Sequence, residues 1–101
     1  MKLSVVIFCS VLCSMFLAAC ATQLTTAGSQ VRTSHSAEEV LRCKRIKSIY
    51  ENRASGSDGI ADATRGALND AAAAGANTIY IESSSMGARG SSVVATAYQC
   101  Q

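Results

Sequence analysis

Gly59-Ile60-Ala61-Asp62-Ala63-Thr64-Arg65-Gly66-Ala67-Leu68-Asn69-Asp70-Ala71-Ala72-Ala73-Ala74-Gly75-Ala76-Asn77-Thr78-Ile79-Tyr80-Ile81-Glu82 changes its hydrophobic period at Gly75. Before the glycine, Ile60, Ala63, Ala67, Ala71 and Ala74 recur at helical spacing with Leu68 beside them, while Asp62, Arg65 and Asn69 project away. The pattern predicts an amphipathic helix from Asp58 or Gly59 to Ala74. A buried face built from alanine lets such a helix lie close to whatever it covers, and Gly75 is placed to end it in the left-handed conformation. After the glycine, Ile79 and Ile81 alternate with Tyr80 and Glu82, which predicts a half-buried strand over Thr78 to Ser83.

Working outward, Met86-Gly87-Ala88-Arg89-Gly90 predicts a flexible hairpin loop, and Ser92 to Cys100 predicts an uncharged strand of small and β-branched residues. On the other side, Ser55-Gly56-Ser57-Asp58-Gly59 is a loop that leads into the helix. Ahead of it, Cys43 to Tyr50 carries Ile46, Ile49 and Tyr50 among Arg42, Lys44, Arg45 and Lys47, which suits an edge strand where lysine discourages pairing. A helical crossover makes the first two strands parallel and a hairpin makes the third antiparallel to its predecessor. The expected fold is therefore α+β, a small β-α-β-β domain over residues 39–101. It has a three-stranded mixed sheet of order 1-3-2 and one Ala-rich helix packed on one face.

From Ala21 to about Ser36 the chain is rich in Thr, Ser, Gln and Gly, and residues 20–38 read as a flexible tether that would hold the domain off a bilayer. Ser36 precedes Ala37-Glu38-Glu39-Val40, a sequence suited to a short helical turn.

Residues 1–19 have the layout of an export signal. Lys2 supplies the positive start, Leu3 to Phe16 is almost wholly apolar or small, and Leu17-Ala18-Ala19 precedes Cys20. The run turns polar at Thr22 and Gln23, short of the roughly 20 apolar residues of a spanning helix. Leu17-Ala18-Ala19-Cys20 resembles the bacterial lipobox at all four positions. That resemblance implies cleavage between Ala19 and Cys20 and attachment of fatty acyl chains such as palmitate through the Cys20 thiol. Two alternatives remain at this point, a retained membrane helix and cleavage at Ala19-Cys20-Ala21 by an ordinary signal peptidase. By similarity to Gram-negative lipoproteins, Ala21 in place of Asp implies the outer membrane, with the domain facing the periplasm.

Of five cysteines, Cys9 and Cys13 lie in the signal and Cys20 in the lipobox, leaving Cys43 and Cys100. Two thiols in an exported domain suggest one disulfide, the alternative being two separate thiols. The start of the first strand and the end of the third fall at the same edge of the expected sheet, which agrees with the pairing. No metal set is expected, because neither cysteine has a CxxC neighbour and His35 is the only histidine.

The net charge of +2 falls when Lys2 leaves with the signal, giving eight basic against seven acidic residues, a balance unlike that of a dedicated nucleic-acid binder. The serines Ser83, Ser84 and Ser85 have no G-x-S-x-G setting, and His35 lies in the expected tether, so no catalytic residues are assigned. Gly56-Ser57-Asp58-Gly59 lacks the G-K-[ST] ending of a phosphate loop and reads as a helix cap. Glu38, Glu39, Asp62 and Asp70 show no paired-carboxylate spacing. Tyr50, Tyr80 and Tyr98 read as core or sheet-face residues rather than a ligand platform. No cofactor is expected.

Cys43 with Ile46, then Leu68 through Ala74-Gly75-Ala76-Asn77-Thr78, and finally Ala97-Tyr98-Gln99-Cys100 resemble an uncharacterised family of small proteobacterial envelope lipoproteins. More distantly, the same region is similar to the periplasmic domain of the Rcs stress-sensor lipoproteins. It departs from that pattern in having Ile49-Tyr50 where an aliphatic-glycine pair is usual, and in lacking the sensor's additional cysteine pair.

The expected function is that of a non-enzymatic, lipid-anchored interaction module of the cell envelope. Its membrane contact is the lipid, its partner another envelope protein, and a candidate interaction edge is Arg42, Lys44, Arg45 and Lys47. The alternative is a module that binds a small ligand or the cell wall.

Overall fold

A computed structural model describes residues 22–54 and 58–101. The signal, Ala19 and Cys20 lie outside the described residues, as does most of the Ser55–Gly59 loop. In chain order the elements are α1 (Thr26–Ser29), β1 (Arg32–Ser34), a 3₁₀ turn (Ala37–Val40), β2 (Lys44–Arg53), α2 (Gly59–Ala73), β3 (Thr78–Gly87) and β4 (Gly90–Gln99).

The fold is α+β with one main helix on a mixed sheet, but the sheet has four strands in the order β1-β3-β4-β2, not three in the order 1-3-2. The added strand is β1, which pairs in parallel with β3 through Arg32↔Thr78, Thr33↔Ile79 and Ser34↔Tyr80. It comes from the stretch read as a tether, so the folded unit takes in residues well before position 39. Three residues with no aliphatic side chain give no alternation to read, and β1 exists because β3 offers it a free edge.

β4 is antiparallel to both its neighbours, β3 and β2. Being uncharged, it tolerates this central position. β2 is the far edge strand, as its lysines suggested, and it carries a bulge between Arg45 and Lys47. The β3–β4 hairpin is longer than expected. The strands continue to Gly87↔Gly90, so the five-residue loop shrinks to Ala88-Arg89, and a bulge between Ile81 and Ser83 precedes the serines.

The core lies between α2 and the sheet. Ala63, Ala67 and Ala71 are fully buried against Ile49, Ile79, Val93, Ala95 and Ala97, with Ile60, Leu68 and Ile81 packed at the margin. Ala74 is exposed, because it caps the helix instead of belonging to the buried face. Gly75 takes φ +86°, its N–H donates to Ala72 O at 3.0 Å, and the Ala76 N–H donates to Ala71 O at 2.9 Å. That double closure satisfies carbonyls the helix itself leaves open.

Cys43 and Cys100 form a disulfide with Cα atoms 4.5 Å apart. The register places them there, since Lys44 faces Gln99 across β2 and β4 and the cysteines come next on each strand. Asn77 ties the same end together: its side chain donates to Cys100 O at 2.6 Å and accepts from Cys100 N–H at 2.8 Å.

Candidate functional site

Cross-strand partners share a face of a sheet, which sorts the side chains. Val93, Ala95 and Ala97 face α2, so Ser92, Val94, Thr96 and Tyr98 face the other way. Tyr50 stands opposite Val94 and Tyr80 opposite Thr96. All three tyrosines therefore project from the face that α2 leaves uncovered.

The half of this face near the disulfide is crossed by the link between β1 and β2. Ser34 Oγ donates to Glu39 Oε2 at 2.9 Å, and a concavity of about 340 Å³ combines Glu39 and Arg42 with Thr78. Ser34 and Thr78 are buried there, and Thr96, also buried, donates its Oγ1 hydrogen to Glu82.

The hairpin half stays open. Tyr50 is 66% exposed on this face, and Met86, which pairs with Ser91 on the α2 side, is 68% exposed at the hairpin rim. With Asn52, Ser85, Arg89 and Ser92 they line a shallow concavity of about 520 Å³. Here Ser85 Oγ and Ser92 Oγ share a hydrogen bond of 2.7 Å. The arrangement offers one aromatic face, one thioether, two hydroxyls, an amide and a guanidinium to a ligand lying on the sheet. Among the described residues, no hydrogen bond links His35 to the serine cluster, and His35 and all three serines are exposed.

The predicted basic residues Arg42, Lys44, Arg45 and Lys47 are all exposed at the disulfide end of β2. Arg45 donates to Ser48 Oγ at 2.6 Å.

On the outer side of α2 the residues expected to face solvent instead hold the N-terminal segment. The Thr22 N–H donates to Asp62 Oδ1 at 2.7 Å, and its hydroxyl donates to Asp62 Oδ2 at 3.2 Å. Arg53 Nε donates to Asp62 Oδ2 at 2.7 Å, and Arg65 Nε donates to Thr22 O at 3.0 Å. One turn on, Asn69 donates to Gln23 O at 2.7 Å and accepts from the Thr25 N–H at 2.9 Å. Desolvation pulls the Asp62 carboxyl upward, but Thr22, Arg53 and Arg65 together hold it below the usual range. Beside it, a shared hydrogen bond with Asp70 and then burial raise the Glu51 carboxyl, against the pull of Arg53. Polar residues on a helix's outer face are ordinarily solvated, so sequence alone carried no signal for this contact.

Among the described residues no helix is long and apolar enough to cross a membrane. Compared with known proteins, the chain matches no family model, no curated protein and no solved structure.

Proposed function

We propose that this chain is a lipid-anchored, non-enzymatic module of the cell envelope that engages another envelope protein through the open hairpin half of its sheet. The anchor is acyl chain on Cys20 after cleavage at Ala19, with the domain on the periplasmic side of the outer membrane. The observation that carries the interaction role is Tyr50, about two-thirds exposed on the face that α2 does not cover, with the equally exposed Met86 lining the same concavity from the hairpin rim. Exposed aromatic and methionine side chains of this kind are enriched at protein interfaces.

A second reading, small-ligand or cell-wall binding, is favoured by the polar rim of the same concavity. Asn52, Ser85, Arg89 and Ser92 surround the Tyr50 ring as hydrogen-bonding groups surround a sugar face. The two readings separate by placing a photo-crosslinking residue at Tyr50 or Met86 in intact cells. One recurrent protein adduct supports the first, adducts with wall fragments alone support the second, and no adduct at either position overturns both. Tyr50→Ala is expected to lose at least tenfold of partner binding with little change in thermal stability, because its ring is largely solvent-facing.

A further inference from the structure

The N-terminal segment is held at Asp62, Arg65 and Asn69 by five hydrogen bonds described above, and its first described residue is Thr22. Only Ala21 separates Thr22 from Cys20. Two Cα steps of 3.8 Å confine the Cys20 Cα to within about 7.6 Å of Thr22. Residues 20–38 acting as a free tether would instead allow up to about 60 Å. The difference decides whether the domain reaches away from a bilayer or rests on it.

Resting on the acyl-anchor reading of Cys20, we propose that the domain sits directly on phospholipid headgroups, with the Arg53–Asp62–Arg65 end of α2 turned toward the bilayer. The chain leaves the fold at that end, beside two guanidinium groups suited to phosphate oxygens. Arg53, paired with Asp62 and Glu51, keeps 25% of its side-chain surface, and Arg65, paired with Asp62, keeps 36%, so both are held in place and still reachable. Leu24, 41% exposed on the docked segment, adds an apolar group to the same side of α2. The bound segment acts as a strap, and its grip depends on Gly28. A Cβ at Gly28 would collide with Asn69 Oδ1.

The test uses the full chain purified from membranes and returned to vesicles of phosphatidylethanolamine and phosphatidylglycerol with spin-labelled headgroups. A single cysteine at Ala61 or Ala73, both exposed and about 18 Å apart along α2, carries a fluorophore. Headgroup quenching is expected to be at least threefold stronger at position 61 than at 73. Gly28→Ala is expected to bring the ratio toward one and to speed amide exchange over residues 22–30. Acylated protein that quenches equally at both positions, or at neither, overturns the proposal. So does an unequal ratio that persists in Gly28→Ala once exchange shows the strap released. Mass spectrometry of the same sample reports acylation: a product without acyl mass overturns the anchor reading and this placement with it, whereas acylated protein with the wrong ratio overturns this placement alone.

Discussion

Asn77 and the carboxylates around Arg53 show how much rests on single polar side chains in a domain with a small core. Asn77 makes both a donor and an acceptor bond to the backbone of Cys100, its N–H donates to Tyr98 O, and its carbonyl accepts from the Arg32 N–H. Asn77→Ala removes both side-chain bonds to Cys100, together with the one accepted from Thr78 Oγ1, and leaves a partly buried amide and carbonyl unpaired. A loss of about 1–3 kcal/mol is expected, read by urea denaturation. The carboxylates act through pH with opposite signs. The Asp62 carboxyl is lowered in the fold, so its contribution is present above the ordinary aspartate range and is lost as pH falls through the folded value. Glu51 is raised, so its contribution is present below the ordinary glutamate value and is lost as pH rises through the folded one. Glu51→Gln is therefore expected to flatten the decline in stability as pH rises above about 4.5, measured by denaturation at several pH values. Unchanged slopes would show that the Glu51–Asp70 contact does not hold its proton.

Among the elements, α2 and the disulfide were the most legible. Alanine at helical spacing has one reading, and Gly75-Ala76 closed the helix as its sequence indicates. The pairing of Cys43 with Cys100 agreed with strand order because a helical crossover followed by a hairpin leaves few topologies. Reducing this bond is expected to cost about 4 kcal/mol by the loop-closure argument, seen as a lower denaturation midpoint in Cys43→Ser with Cys100→Ser. β1 was illegible for a physical reason: Arg32-Thr33-Ser34 is held by an existing strand edge and by Asn77, not by a hydrophobic face of its own. The hairpin was read too short because Ser83, Ser84 and Ser85 resemble turn residues, yet they pair with Val94, Val93 and Ser92. The open hairpin half of the sheet was half legible. Tyr50 reads in the sequence as a core or sheet-face residue rather than part of a ligand platform, and its companionship with Met86 and Arg89 needed the two-residue turn. At the edge, replacing Lys44 and Lys47 with valine is expected to promote self-association through β2, measured by light scattering.

At the scale of the whole molecule, the two ends of the sheet carry different chemistry. The exit toward Cys20 is at the hairpin end, where Arg53 pairs with Ser91, whereas the basic cluster is at the disulfide end, where Lys44 pairs with Gln99. The span from Lys47 to Arg53 is six residues, or roughly 20 Å of strand. That exceeds the Debye length of about 8 Å at physiological ionic strength. Converting Arg42, Lys44 and Lys47 to glutamine is thus expected to leave vesicle partitioning of the acylated protein within twofold of the parent, while changing capture of any acidic partner. A tenfold loss in flotation assays would place this edge on the lipid instead.

The covalent ring closed between Cys43 and Cys100 encloses β2, α2, β3 and β4 and leaves everything before Cys43 outside it. The first quarter or so of the folded body can thus peel away as one cooperative piece while the ring keeps its shape. Limited proteolysis should accordingly trim the chain in steps, shedding α1 and β1 first and stalling at a cross-linked remnant.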